Sequence, residues 1–294
     1  MKSFENKVAA ITGAGSGIGR ALAFGLARQG CQLALCDVDA QALAETTAQV
    51  RTLGGQVSET VVNVADRAAV HAWADLIVSE FGKVNVIFNN AGVAQGGTVE
   101  GNDYADYEWI MNINFWGVVN GTKAFLPHIK ASGNGHIVNI SSVFGLFAQP
   151  GMSAYNASKF AVRGFTESLR QELDMAKCGV SASCVHPGGI KTNIATTARM
   201  NASLSSVTGQ DIDQGRQQFN DQLLRTPPEK AAQVIINGVL ANKRRILIGT
   251  DAYLLDALQR LCPAFYQRMM TASMRLAARF STKKACKQAP EAVE

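Results

Sequence analysis

From Lys7 to His186 short apolar runs alternate with helical patterns, and that alternation leaves few folds open to the chain. Residues 7–13 (KVAAITG), 32–37 (QLALCD), 56–63, 84–89, 136–141 and 180–186 read as strands. The helical pattern runs over 18–29, 40–53, 66–81, 103–131 and 153–178. Strands this apolar are buried on both faces, which calls for a parallel sheet covered by helices on each side. Right-handed crossovers then wind the chain into a doubly wound, Rossmann-type α/β sheet of about seven strands, closed by 245–249 (RILIG).

With 294 residues, 47% of them hydrophobic, the chain can build its own core, which excludes a disulfide-stapled mini-protein and a disordered chain. Residues 1–249 read as one domain, with 193–226, polar and rich in Ser, Thr and Asn, as a lid over the cleft. Residues 250–294 form a helical extension broken near Pro263. Six cysteines make no C-x-x-C pattern and the histidines no ligand spacing, so free thiols and no metal are expected. The N-terminus shows no targeting segment, and no apolar run approaches the ~20 residues of a membrane span. A cytoplasmic location is the expectation.

The first strand runs directly into Gly13-Ala14-Gly15-Ser16-Gly17-Ile18-Gly19. Glycines between a strand and a helix let a pyrophosphate approach the backbone and meet the free N–H groups of the helix N-terminus. This places a dinucleotide on Gly13, Ser16, Gly17, Ile18 and Gly19. Asp37 ends the second strand, where a carboxylate can accept both ribose hydroxyls of NAD and repel the 2′-phosphate of NADP. Arg20, just inside the helix, is the residue that keeps NADP as an alternative.

With these residues in place the chain resembles a short-chain dehydrogenase/reductase. TGAGSGIG (12–19) matches the family's glycine motif, and Asn89-Asn90-Ala91-Gly92 its N-N-A-G motif. Asn112-Ile113-Asn114 matches the helix that carries its catalytic Asn. Val138–Ser142 matches the strand of its catalytic Ser, Tyr155–Lys159 its Y-x-x-x-K, and Pro187-Gly188 through Thr192 the loop beside the nicotinamide. The resemblance implies a catalytic set of Asn114, Ser142, Tyr155 and Lys159, with Ser142 chosen over Ser141 by its distance from the tyrosine. It implies cofactor contacts at Asn63, Val64, Asn90, Ala91, Gly92, Tyr155, Lys159, Pro187, Gly188, Ile190 and Thr192. Asn63 stands where relatives often have Asp, and its amide oxygen can still accept from adenine. The family also implies a homodimer or homotetramer, paired through 103–131 and 153–178.

The tetrad has a physical logic. Tyr155 and Lys159, four apart, project from one helix face. A free phenol, with a pKa of about 10, is a poor base at neutral pH. A nearby ammonium and a positive nicotinamide favour phenolate, which can take an alcohol proton as hydride leaves. The Ser142 hydroxyl can stabilise the developing alkoxide, and Asn114 is implied to anchor a proton-relay water.

The expected function is NAD-dependent oxidation of a secondary alcohol, lipophilic if Phe144, Leu146, Phe147 and 93–95 line the cleft. The alternatives are an NADP-dependent carbonyl reductase and a non-catalytic, dinucleotide-binding redox sensor or scaffold. Residues 225–294 hold 12 basic and 5 acidic residues, so the chain's net +5 belongs to this segment. Packing over the active site or a second subunit is favoured for it over contact with a membrane surface, and nucleic-acid binding is not expected.

Overall fold

The computed structural model describes residues 1–209, Gln217 and 224–288, with side chains through Leu276 apart from Val207 and Thr208. The strands are β1 (Val8–Thr12), β2 (Gln32–Asp37), β3 (Val57–Val61), β4 (Val86–Asn89), β5 (Gln95–Gly96), β6 (Gly135–Ile140), β7 (Val180–Pro187), β8 (Arg199–Met200) and β9 (Arg245–Ile248). Seven of them form one sheet in the order β3-β2-β1-β4-β6-β7-β9, with every pairing parallel. The doubly wound expectation therefore holds.

Alternation along β1 shows why both faces are covered. Ala9 and Ile11 pack with α1 (Gly17–Ala27), α2 (Ala40–Thr52) and the late helix 228–240, whereas Val8 and Ala10 face α3 (Arg67–Phe81) and the helices beyond it. The chain leaves β1 in one direction through β2 and β3 and returns through β4 on the other side. That reversal opens a crevice at the strand C-termini.

The helical pattern expected over 103–131 resolves into α4 (Tyr104–Met111), one π-helical turn over Asn112–Trp116, and α5 (Gly117–Ala131). Asp103 and Asp106 form a reciprocal capping box at its start. The wide turn coincides with Asn114, whose side chain bonds to a neighbouring loop instead of lying on the helix surface. Such π turns often mark functional sites. Next come α6 (Ser153–Ala176), α7 (Leu204–Thr208) and α8 (Pro228–Leu240), the last with proline in its first turn.

The two-residue pair β5·β8 went unforeseen because strands so short carry no periodicity. It ties the start of the lid to the loop after β4. The lid expected over 193–226 falls partly outside the described residues. In the extension, α9 (Thr250–Leu261) and α10 (Phe265–Gln288) flank Pro263, and Ala252 and Tyr266 pack on Val143 and Phe147. No helix among the described residues is long and apolar enough to cross a membrane.

Cys31, Cys36 and Cys184 are buried free thiols pushed upward in pKa by burial, as expected of small hydrophobes. Trp73 is core, but Trp116 is 46% exposed. The side chain of Cys286 lies outside the described residues.

Two buried histidines make the fold sensitive to acid. His136 Nε2 bonds with Ser183 Oγ, and burial drives its pKa down from 6.5 to about 3. His186 is lowered from 6.5 to about 4, chiefly by burial, although its bond to Ser142 pulls the other way. Because both folded values lie below the unfolded one, the unfolded chain takes up these protons first. Their contribution is complete above the unfolded pKa and is lost as pH falls from about 6.5 toward the folded values, by up to about 1.4 kcal/mol per pH unit for each histidine. Urea midpoints should fall between pH ~7 and ~5, and His136→Gln should remove about half of that slope. A midpoint flat across the interval would contradict this.

Candidate active site

The cleft begins where β1 turns into α1. Thr12 Oγ1 accepts the N–H groups of Asn90 and Ala91, each at 2.9 Å, and Asn90 Nδ2 donates to the carbonyls of Thr12 and Gly13 at 2.9 and 3.1 Å. The ends of β1 and β4 are thereby stitched together. Gly13 and Gly17 sit at positive φ, +65° and +51°, in the region that favours glycine. A Cβ on Gly19 would lie 2.1 Å from the Gly13 carbonyl oxygen, so Gly19 lets α1 pack onto its own loop and is not part of the cleft wall. The Ser16 side chain caps nothing, which leaves the first N–H groups of α1 free.

One continuous cleft of about 1300 Å³ runs past these residues. Gly13, Ser16, Gly17, Ile18, Asp37, Asn63, Val64, Asn90, Ala91, Gly92, Ser142, Tyr155, Lys159, Pro187, Gly188, Ile190 and Thr192 all line it; of the catalytic and cofactor residues expected from sequence only Gly19 and Asn114 do not. Asp37 accepts from Gly15 N at 2.8 Å and from Asp39 N at 3.1 Å. The cap of α2 is Asp39, which accepts from Ala42 N, so Asp37 is not spent on capping. Arg20 is held by α2: it donates to Thr46 Oγ1 at 2.9 Å and to the Ala42 carbonyl at 3.2 Å, and pairs with Glu45 at 3.4 Å. Asn63 Oδ1 already accepts from Ala65 N.

At the other end, β6 delivers the two serines and α6 delivers Tyr155 and Lys159. Ser141 donates to the Lys159 carbonyl at 2.8 Å, which fixes α6 against β6. Ser142 Oγ accepts from Phe144 N at 3.1 Å and faces the Tyr155 hydroxyl, whose pKa it lowers, so the adjacent serines have separate partners. His186 Nδ1 donates to the Ser142 carbonyl at 2.9 Å and anchors that turn. Lys159 Nζ donates to the Ile140 carbonyl at 3.1 Å and lies 5.7 Å from the centre of the Tyr155 ring.

Asn114 sits behind this group, fully buried. Its Oδ1 accepts from Val93 N at 2.8 Å, and its Nδ2 donates to Val93 O at 2.9 Å and Ser158 Oγ at 3.0 Å. A Cβ on Gly92 would lie 3.2 Å from Asn114 Oδ1 and 3.3 Å from Lys159 Nζ, so glycine leaves a gap that both residues border.

Burial pushes the Tyr155 phenol up to about 12 against the opposing bond from Ser142, and pushes the Lys159 ammonium down to about 8. The expectation is that the ammonium and a positive nicotinamide act together to favour phenolate, and these values describe the protein's groups alone. In the protein's own environment desolvation outweighs the ammonium.

Beyond Tyr155 the wall becomes apolar. Phe144, Phe147, Val93 and Ala94 line it as expected, whereas Leu146 and Gln95 are buried and take no part in the wall. Rings step outward from the tyrosine: Tyr155 to Phe144 at 6.1 Å, Phe144 to Phe147 at 5.3 Å, and Phe147 to Tyr266 at 6.0 Å.

Asp251 escaped the sequence reading. It lies in the first turn of α9 and accepts from Gly189 N at 2.7 Å, and a Cβ on Gly188 would meet its carboxylate at 2.2 Å. It therefore backs the Pro187–Thr192 loop. Sequence offered only an acid after a glycine, a pattern common at helix starts. Asp251→Ala should weaken NAD+ binding about tenfold, the worth of one charge-assisted hydrogen bond, and leave ADP-ribose, which lacks the nicotinamide, nearly unchanged by titration calorimetry. Equal losses for both ligands would show a general defect instead.

Comparison with known proteins agrees with this geometry. The family model for short chain dehydrogenase matches residues 7–203. SadH of Mycobacterium tuberculosis, named as an oxidoreductase, is 51% identical over 274 residues, covering 93% of this chain and 97% of that one. Estradiol 17-beta-dehydrogenase 11 of Mus musculus is 30% identical over 270 residues, covering 92% and 84%. The crystal structure of a short-chain dehydrogenase/reductase from Burkholderia phymatum in complex with NAD is similar with a TM-score of 0.83 and 33% identity, covering 91% of this chain and 97% of that one. The chain belongs to the short-chain dehydrogenase family of NAD(P)-binding oxidoreductases.

Proposed function

We propose that the protein oxidises a lipophilic secondary alcohol to its ketone with NAD+, using Tyr155, Ser142, Lys159 and Asn114. The observation that carries this reading is the single cleft, with Asp37 at one end, Tyr155, Ser142 and Lys159 further along, and an apolar wall beyond them.

The residues present fit a dinucleotide. The glycines at 13 and 17 and the free N–H groups of α1 suit a pyrophosphate. Asp37 suits a ribose diol, and Arg20, which lines the same cleft, is already engaged by Thr46, Ala42 and Glu45. This favours NAD over NADP. The bound cofactor supplies the hydride acceptor.

The protein's part is positioning and proton transfer. Ser142 holds the alcohol oxygen beside the Tyr155 hydroxyl. The Tyr155 oxygen takes the hydroxyl proton, helped toward phenolate by a positive ring beside it. Lys159, at a pKa of about 8, is poised to pass a proton on. A water in the gap beside Gly92 would touch both Lys159 Nζ and Asn114 Oδ1 and so relay that proton. Pro187, Gly188, Ile190 and Thr192, backed by Asp251, would set the ring face.

Lipophilic substrates are supported by Phe144, Phe147 and Val93 on the wall and by the steroid-alcohol name of the mouse relative. The tetrad's convergence argues against a sensor without chemistry. Trp116 and Phe160, 46% and 37% exposed, fit pairing into a homodimer or homotetramer through α4, α5 and α6.

Fluorescence titration with NADH and NADPH tests the cofactor assignment. NADH should bind at least about tenfold more tightly, and Asp37→Ala should remove most of that preference. Tighter NADPH binding by the unaltered protein would overturn the assignment and turn the reaction toward carbonyl reduction.

A further inference from the structure

A second cavity lies beyond the aromatic steps, outside the cleft proper. It measures about 170 Å³ and is lined by Phe147, Leu255, Leu258, Gln259, Tyr266, Met269, Met270 and Ser273. Seven of these eight residues come from α9 and α10. Phe147, Leu255 and Met270 also line the main cleft, so the two spaces share one wall. The chamber's position is fixed: Tyr266, almost completely buried, accepts a hydrogen bond from Ala148 N at 3.2 Å and packs its ring on Phe147. Ser273 donates its hydroxyl to the Met270 carbonyl at 2.8 Å, so its proton is already satisfied. What remains is mostly carbon and thioether, and the pocket opens to solvent beside Met269, which is exposed.

We propose that this chamber is an acyl- or alkyl-chain subsite: the hydrocarbon tail of the substrate runs from the carbinol at Tyr155 along Phe144 and Phe147 and ends among Leu258, Met269 and Met270. The inference rests on the alcohol-oxidation reading and narrows its substrate class to alcohols carrying a flexible chain. The shared wall commits the chamber to a chain that is also held in the cleft. Phe147 and Met270 stand between the two spaces, and methionine's unbranched side chain can move aside for a chain at little cost. The chain-length preference would then be set by the C-terminal extension, away from the reacting atoms.

Leu258 separates this subsite from the catalytic cleft, because it lines the chamber only. The test is kcat/KM with NAD+ for 2-butanol, 2-hexanol, 2-octanol, 2-decanol and 2-dodecanol, in the unaltered protein, Leu258→Trp and Leu258→Ala. Each methylene buried is worth about fourfold in binding, so kcat/KM should climb along the series in the unaltered protein. Leu258→Trp should lower it about tenfold or more for the longest alcohols while leaving 2-butanol within about twofold. Leu258→Ala, which enlarges the chamber, should keep the longest alcohols as substrates. No rise with chain length, or a Leu258→Trp loss equal at every length in a variant that melts normally, would overturn the subsite. If no 2-alkanol is turned over, the substrate reading fails on its own and thermal melting of the NADH complex decides the chamber. Stabilisation by 2-dodecanol that Leu258→Trp abolishes supports it, and absence of stabilisation overturns it.

Discussion

The site depends on one buried cation. Lys159 is 3% exposed, and removing its ammonium from water is costly enough to bring its pKa down to about 8. Its neighbours are arranged around that cost. Ile140 offers a carbonyl, the Tyr155 ring lies within cation–π reach, and Gly92 withholds a side chain from the space in front of Nζ. Ser141 holds the lysine's own carbonyl, so α6 cannot slide along β6 without breaking that bond. Ser142, anchored by His186, then meets Tyr155. Acid and base groups of depressed and raised pKa placed side by side are the usual mark of a site built for proton transfer.

Much of the architecture was legible because burial on both sheet faces leaves a nearly unbroken apolar record. The strand series, the glycine turn after β1 and the helix starts at Asp39 and Asp103 all follow from local chemistry. Ser142 was selected over Ser141 by spacing, and the structure gives the two different partners. Three features left no such record. The π turn at Asn114 arises from a side chain that bonds Val93 across the fold, which no local propensity encodes. The β5·β8 pair is two residues long. Asp251 acts on a loop 62 residues away, a separation at which sequence pattern is silent.

Packing over the active site was one of the two placements favoured from sequence for the C-terminal extension, and its helices lie against that site. Its basic residues raised a membrane contact as the less favoured alternative, and Ala252 and Tyr266 pack on Val143 and Phe147. Asp251 backs the Gly188-Gly189 turn at the end of β7, while Tyr266 holds the turn after Ser142. Leu254, Leu261 and Phe265 remain exposed on its outer face. The extension therefore touches the cleft at two places, the turn after β7 and the turn after Ser142.

In the proposed reaction hydride passes directly from the carbinol carbon while Tyr155 receives the proton. The most direct measurement is mass spectrometry of NADH formed from NAD+ and 2-octanol deuterated at the carbinol carbon, with the unaltered protein and with Tyr155→Phe. The unaltered protein should give one deuterium per NADH, and Tyr155→Phe should give no NADH while still binding NAD+. NADH without deuterium, or undiminished transfer by the phenylalanine variant, would contradict it.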